Sequence, residues 1–169
     1  MSKEENSVLV GILMGSESDL DRMRGVWEVL GEFDIGYEVK ILSAHRTPDL
    51  TTQYAVEAEK RGLRVLVAGA GLAAHLAGVV AAHTVLPVIG VPLASSSLGG
   101  LDSLLSTVQM PPGVPVATVA VNGSRSAGIL AVQILAVQDV RLRDRLKEYR
   151  QKMVEKVMAV NENLNLEPS

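Results

Sequence analysis

The sequence predicts an α/β protein built in three layers, with a five-stranded parallel sheet between helices and a long C-terminal helix. Two observations lead to this prediction. Short apolar runs alternate along the chain with segments of helical periodicity, a pattern typical of βαβ units. A strongly charged amphipathic segment then follows the last apolar run. We expect one domain over residues 1–169, with its core at about residues 7–138.

The first half of the chain predicts three strands and two helices. The strands are expected at residues 8–14, 37–42 and 65–68, and the helices at 20–30 and 48–61. The first run is apolar except for one glycine, as expected for a strand buried on both faces. Gly31 suits the C-cap of the first helix. Thr47 and Pro48 suit the N-cap and first turn of the second.

The second half predicts two further strands and three helices before the C-terminal segment. The strands are expected at residues 87–91 and 116–121, and the helices at 73–84, 102–108 and 124–138. Five strands joined through helices indicate a flavodoxin-like sheet. Such sheets bind ligands at the carboxyl ends of their strands. The loops that follow the first four strands are therefore the places to look for a site.

The C-terminal helix is expected at about residues 139–161. Its apolar residues recur at helical spacing among charged ones, at Leu142, Leu146, Tyr149, Met153, Val157 and Val160. The helix either folds back on its own domain or packs as an arm on a neighbouring subunit.

Composition excludes several classes of protein. A net charge of −3 gives no electrostatic footprint for nucleic acid. The absence of cysteine excludes disulfides, zinc–thiolate sites and thiol catalysis. The polar N-terminus does not resemble a signal peptide, and no apolar run is long enough for a membrane span. We expect a soluble cytoplasmic protein without nucleic-acid or membrane partners.

The middle of the chain is almost free of charge. Asp102 is the only Asp, Glu, Lys or Arg between residues 65 and 124. Because this stretch is too apolar for the surface of a small monomer, we expect other subunits to cover part of it. Asp102 itself either caps the helix that follows Gly100 or fixes a neighbouring loop, and capping is the preferred interpretation.

Two of the loops carry complementary polar groups. The first contains Gly15, Ser16, Glu17, Ser18 and Asp19, and the second contains Ser43, Ala44, His45, Arg46 and Thr47. Backbone N–H groups and serine hydroxyls of the first loop favour an anion, although ordinary helix capping is the alternative. In the second loop, an arginine offers a fork to phosphate and a histidine exchanges protons near neutral pH.

The loops after the third and fourth strands are rich in small residues. Ala70 and Gly71 would let a ligand approach the backbone closely, and His75 would orient a substrate or cap a helix. The serine- and glycine-rich segment at residues 95–100 is either a linker or a loop that covers a ligand. His83 lies two helical turns from His75, so the pair cannot share a metal, and we predict no metal site.

These motifs together resemble the PurE family. The resemblance extends from about residue 8 to residue 138. It lies in the runs 14–16 with 18–19, 43–48, 68–71 with 73–76, 102–104 and 108–111. It implies an N5-carboxyaminoimidazole ribonucleotide mutase of purine biosynthesis, which moves a carboxylate from an exocyclic nitrogen to ring carbon C4. It also implies that no ATP, metal or organic cofactor is used and that the protein is a homo-octamer.

The resemblance also implies roles for individual residues. Ser16, Ser43 and Arg46 would hold the 5′-phosphate, Asp19 the ribose hydroxyls, and His45 would be the general acid and base. The remaining substrate-binding positions are Gly15, Ser18, Ala44, Ala70, Gly71, His75 and Leu76. Leu72 and Ala77 depart from the family pattern, which usually has Gly and Pro there.

Two other functions remain as alternatives to the mutase. One is the second branch of the family, which carboxylates aminoimidazole ribonucleotide directly with CO₂. That branch typically has Lys after the motif histidine, where this chain has Arg46. The other is a non-catalytic nucleotide-binding or phospho-receiver domain. Gly69 argues against a receiver, which needs an aspartate at the end of the third strand.

Overall fold

The computed structural model describes residues 7–95 and 97–164, so Ser96 and both ends of the expected 1–169 domain lie outside the described residues. Its strands are β1 (Val8–Met14), β2 (Gly36–Ile41), β3 (Val65–Gly71), β4 (Val88–Leu93) and β5 (Ala117–Thr118). All pair in parallel, in the order β2-β1-β3-β4-β5. The predicted parallel sheet and its flavodoxin-like order are therefore confirmed.

Helices cover both faces of this sheet. They are α1 (Leu20–Glu32), α2 (Pro48–Ala58), α3 (Leu76–Ala82), α4 (Leu101–Val108), α5 (Ser124–Ala136) and α6 (Val140–Glu162). Helices α1 and α5 pack on one face, and α2 and α3 pack on the other with α4 beside them. The three-layer arrangement follows from strands whose two faces are both apolar.

Strand β1 shows how the sequence produces the two layers of core. Ile12 and Met14 point into the cluster beneath α1 and α5, whereas Leu13 points into the cluster beneath α2 and α3. All three side chains are completely buried. Because neighbouring residues of a strand face opposite sides, an uninterrupted apolar run is what a central strand requires.

Helices α1 and α5 approach each other closely because each has a glycine at the contact. A Cβ atom added to Gly25 would lie 2.6 Å from the Ser124 Oγ, and one added to Gly128 would lie 2.8 Å from the Val29 Cβ. Both separations are shorter than a van der Waals contact. The low aromatic content of the chain fits this packing of small residues.

Tertiary contacts move several element boundaries from the predicted positions. Strand β3 does not end at residue 68 but continues to Gly71, because its last residues pair with the end of β4. Helix α3 begins at Leu76 rather than residue 73. Strand β5 is limited to Ala117–Thr118, and it lies at the sheet edge with β4 as its one neighbour.

Two predicted caps are wrong. Helix α1 continues past Gly31 to Glu32, and the chain reverses at Asp34, where φ is +54°. This later ending lets Phe33 be buried, with 4% of its surface exposed. The N-cap of α4 is Gly100, with φ of +92°, and Asp102 lies in the first turn of that helix instead of capping it.

Helix α6 is attached to the domain only along its first half. Leu142 is buried, and the Tyr149 ring lies 5.8 Å from the Phe33 ring. Arg145 donates hydrogen bonds to the backbone carbonyls of Glu32 and Phe33, which lie at the end of α1. Residues 150–164 are all exposed. The helix therefore folds back on its own domain as far as Tyr149, and its second half is exposed.

A buried tyrosine ties α2 to the edge strand β2. The Tyr54 hydroxyl donates a hydrogen bond of 2.6 Å to the Glu38 carboxylate, which also accepts one from Arg61. Burial and the adjacent carboxylate raise the pKa of Tyr54. Partial burial opposes ionisation of Glu38, but hydrogen bonds from Tyr54 and Arg61 outweigh it and hold the pKa of Glu38 below its ordinary value.

Candidate active site

The loops after β1, β2, β3 and β4 enclose a cleft of about 650 Å³. In the strand order β2-β1-β3-β4-β5, the switch point of the sheet lies between β1 and β3, and the cleft is at the carboxyl ends of these strands. Its lining consists of Gly15, Ser16, Ser18, Asp19, Ser43, Ala44, His45, Arg46, Ala70, Gly71, Leu72, Ala73, His75, Leu76 and Ser95. Another groove, of about 500 Å³ between α6 and the end of α1, contains none of the predicted site residues.

The loop after β2 is shaped by its own hydrogen bonds. The Thr47 hydroxyl accepts a bond of 2.9 Å from the Ser43 backbone N–H and donates one of 3.1 Å to the Ser43 carbonyl. The Arg46 backbone N–H donates to the Ser43 hydroxyl at 3.1 Å. This closed turn leaves the side chains of His45 and Arg46 exposed at the cleft.

Arg46 connects the first two loops. Its guanidinium donates to the Gly15 carbonyl at 2.5 Å, and its Nε donates to the Ser43 hydroxyl at 3.4 Å. The Ser16 hydroxyl lies in the same cleft and accepts from the backbone N–H and the hydroxyl of Ser18. A cation, three hydroxyls and a backbone turn therefore converge at the ends of β1 and β2, a donor set suited to an oxyanion.

Asp19 is the one carboxylate among the residues that line this cleft. It is 7% exposed, and its backbone N–H donates to the Ser16 carbonyl. Burial raises the pKa of Asp19, and the guanidinium groups of Arg22 and Arg46 oppose that shift. A buried carboxylate beside the oxyanion donors is well placed to accept hydrogen bonds from ligand hydroxyls.

Two histidines meet across the cleft. The Nε2 atom of His45 lies 2.8 Å from the Nδ1 atom of His75, and the two rings are nearly perpendicular, at 85°. At this distance one nitrogen donates its hydrogen to the other. His75 is the N-cap residue of α3, so the pair joins the loop after β2 to the end of the loop after β3. A hydrogen-bonded imidazole pair of this kind is suited to proton transfer with a bound ligand.

Small residues form the opposite wall of the cleft. A Cβ atom added to Gly71 would lie 1.7 Å from the Ser95 Oγ, so glycine lets the end of β3 approach the loop after β4. Next to it, Leu72 has a left-handed backbone, with φ of +56°. The wall combines apolar surface with close access to backbone groups.

The structure brings all twelve sequence-predicted site residues to this one cleft. Their individual roles remain predictions. Leu72, Ala73 and Ser95 also line the cleft but were absent from the predicted set. The available signal was their position, because the first two lie between Gly71 and His75 and the third begins the loop after β4. His83 is exposed at the C-cap of α3, away from the cleft.

Within residues 7–95 and 97–164, no three His, Asp or Glu side chains converge as potential metal ligands. In the same described ranges, no helix combines the length and apolar character that a membrane crossing requires.

Comparisons with known proteins identify the family of the chain. The AIR carboxylase family model matches residues 9–156. A Thermotoga maritima protein named N5-carboxyaminoimidazole ribonucleotide mutase is 56% identical over 88% of this chain and 87% of its own length. A Schizosaccharomyces pombe phosphoribosylaminoimidazole carboxylase is 56% identical over 90% of this chain, but over only 28% of its own. The solved structure of Treponema denticola PurE superposes with a TM-score of 0.84 at 29% identity, covering 94% of this chain and 99% of the other. The chain belongs to the AIR carboxylase family.

Proposed function

We propose that this protein is an N5-carboxyaminoimidazole ribonucleotide mutase. This isomerase of purine biosynthesis converts its substrate into 4-carboxy-5-aminoimidazole ribonucleotide. Family membership and the 56% identity to the Thermotoga maritima mutase support the proposal. The observation that carries it is the contact between His45 and His75 beside the donor cluster of Ser16, Ser43 and Arg46.

The donor cluster holds the 5′-phosphate of the substrate. Arg46 donates to two neutral oxygens, those of Gly15 and Ser43, so its positive charge remains available to a phosphate dianion. The hydroxyls of Ser16 and Ser43 add donors at the same end of the cleft. Asp19 accepts hydrogen bonds from the ribose hydroxyls. When the phosphate is at the donor cluster and the ribose is at Asp19, the base of the nucleotide extends toward the two histidines.

His45 moves the proton that the reaction needs twice. In the first step the C–N bond of the carbamate breaks, CO₂ leaves, and the electron pair stays on the substrate nitrogen, which takes a proton. In the second step C4 bonds to the carbon of CO₂, and the proton on C4 is removed. One imidazole within reach of both positions returns to its starting state, so no net proton is consumed. His75 holds that imidazole at 2.8 Å.

The opposite wall favours loss of the carboxylate. Ala70, Gly71 and Leu76 present apolar side chains and backbone to the base, and none of them brings a positive charge. A carbamate carboxylate bound there would lose its hydration shell without gaining a counter-ion, and this desolvation favours its departure as neutral CO₂. We expect the reaction to proceed without a metal or an organic cofactor.

The test is an assay of the purified protein with each of two nucleotides, with and without bicarbonate. A mutase converts the N-carboxylated nucleotide to the C-carboxylated one without added bicarbonate. The second candidate function is direct carboxylation of aminoimidazole ribonucleotide, which is favoured by the identity to the Schizosaccharomyces pombe carboxylase. Strict dependence on CO₂, with no conversion of the N-carboxylated nucleotide, would refute the mutase and support the carboxylase.

We also propose that the protein works in the cytoplasm as a homo-octamer, built from the single domain expected from the sequence. Large apolar side chains exposed on one chain support an assembly. They cluster around α4, at Leu98, Leu101, Leu105 and Val108, and on the second half of α6, at Met153, Val154, Val157, Met158 and Val160. Light scattering should give the mass of eight chains, and a stable monomer would contradict the assembly.

A further inference from the structure

Leu72 combines two features that are each unfavourable for a leucine. Its backbone is left-handed, with φ of +56°. Among the described residues, the other non-glycine positions with positive φ are Asp34 and Asn122. Those two side chains are short and polar, and they tolerate this region because they can form local hydrogen bonds. Leucine has no such compensation.

The Leu72 side chain also remains in contact with water. It is 57% exposed, although it lines the cleft between Gly71 and His75. Neither the backbone strain nor the exposed apolar surface stabilises the free protein. Strained residues persist where the surrounding structure holds them, and they cluster at sites that bind or react. When a ligand covers an exposed leucine in a cleft, the apolar surface removed from water stabilises the complex.

We propose that Leu72 is a binding and specificity residue, whose side chain packs against the aminoimidazole ring of the bound nucleotide. This inference rests on the proposed function, because that function places the ring near the histidine pair. Leu72 lies three positions before His75 in the chain, and both residues line the cleft. A flat ring with apolar faces complements a leucine side chain there. The strained backbone at Leu72 destabilises the free protein, and the side chain it positions adds to the affinity for the nucleotide.

The contact exists both before and during the reaction, so it lowers KM without changing kcat. Covering the exposed half of a leucine side chain corresponds to about a fivefold change in affinity. Leu72→Gly and Leu72→Ala both remove the contact, so each should raise KM and the Kd for aminoimidazole ribonucleotide about fivefold. In both variants kcat should stay close to the wild-type value.

Thermal unfolding separates the contact from the strain. Glycine adopts φ of +56° freely, whereas alanine keeps the Cβ atom that strains it. Leu72→Gly should therefore melt no lower than Leu72→Ala, although both lose the same contact. The matched control is Leu50→Ala, because Leu50 is 56% exposed on α2 and does not line the cleft. This control should leave KM and Kd unchanged.

Calorimetric titration with aminoimidazole ribonucleotide distinguishes failure of this inference from failure of the proposed function. If the wild type converts the N-carboxylated nucleotide but the Leu72 variants keep the wild-type Kd and KM, the inference is wrong and the function stands. If the wild type binds the nucleotide without converting it, the mutase is refuted, and the Kd values of the variants still decide the role of Leu72. If the Leu72 variants change the mass of the oligomer but not Kd or KM, the inference is also overturned.

Discussion

Replacing His45 by asparagine tests the proposed proton transfer most directly. Asparagine can still form a hydrogen bond to His75, but it cannot carry a proton near neutral pH. General acid–base catalysis contributes about 10²- to 10⁴-fold to a rate, which corresponds to about 3–5 kcal/mol of barrier. We therefore expect turnover of the N-carboxylated nucleotide to fall by at least about a hundredfold.

The same substitution should change stability and binding much less. His45 is exposed, and its contact with His75 is one hydrogen bond, worth about 0.5–1.5 kcal/mol. The proposed phosphate donors, Ser16, Ser43 and Arg46, do not include its ring. Turnover, calorimetric affinity for aminoimidazole ribonucleotide and thermal unfolding, measured on the same preparation, separate the three effects. A large loss of rate with near-normal affinity identifies a chemical role.

His83→Asn is the matched control for His45→Asn. His83 is also an exposed histidine, but it lies at the far end of α3 and outside the cleft. It should retain wild-type turnover. If His45→Asn binds nucleotide normally and retains turnover within tenfold of the wild type, His45 is not the proton carrier, and the reasoning from the histidine pair is refuted.

Three further predictions concern binding and stability. Arg46→Ala should raise KM about tenfold or more while kcat changes little, because a charge-assisted bond is worth about 1.5–3 kcal/mol; an unchanged KM would remove Arg46 from the phosphate site. Tyr54→Phe should lower the free energy of unfolding by about 1.5–3 kcal/mol, and urea titrations should show a smaller loss in a Glu38→Gln background. The pKa of Glu38 is lowered in the folded state. The stability that ionised Glu38 contributes is therefore fully present above its ordinary pKa of 4.5, and it is lost as pH falls through the lower pKa of the folded protein. Asp19→Asn should raise the melting temperature at pH 7, because the raised pKa of Asp19 means that its ionisation destabilises the folded protein. This gain in melting temperature should vanish below pH 3.8, the ordinary pKa of the carboxyl group. The affinity of the same variant for the ribonucleotide should fall at pH 7.

Some features of the fold could be read from local sequence because their cause is local. The run at β1 is apolar on both faces, and Pro48 fits the first turn of α2, which begins where predicted. The ends of β3 and α1 could not be read in the same way. Strand β3 continues to Gly71 because β4 offers it hydrogen-bond partners, and α1 continues past Gly31 to bury Phe33.

The candidate site divides along the same line. The residue types and their positions after the strands predicted which loops to inspect, because parallel strands bring their carboxyl ends to one edge. The contact between His45 and His75, thirty positions apart, could not be predicted from spacing. The left-handed backbone of Leu72 was equally hidden, because leucine ordinarily argues against that conformation.

The sequence by itself determined the βαβ architecture, the family and the chemical groups available, because periodicity, composition and motif order are properties of the chain. The tertiary structure alone decided which of those groups touch. It brought His45 and His75 into contact in the cleft that Ser16, Ser43 and Arg46 also line, buried Asp19, and left apolar side chains exposed on α4 and α6. Distances across a sheet edge depend on strand order and on the lengths of turns, and these are fixed only when the layers pack.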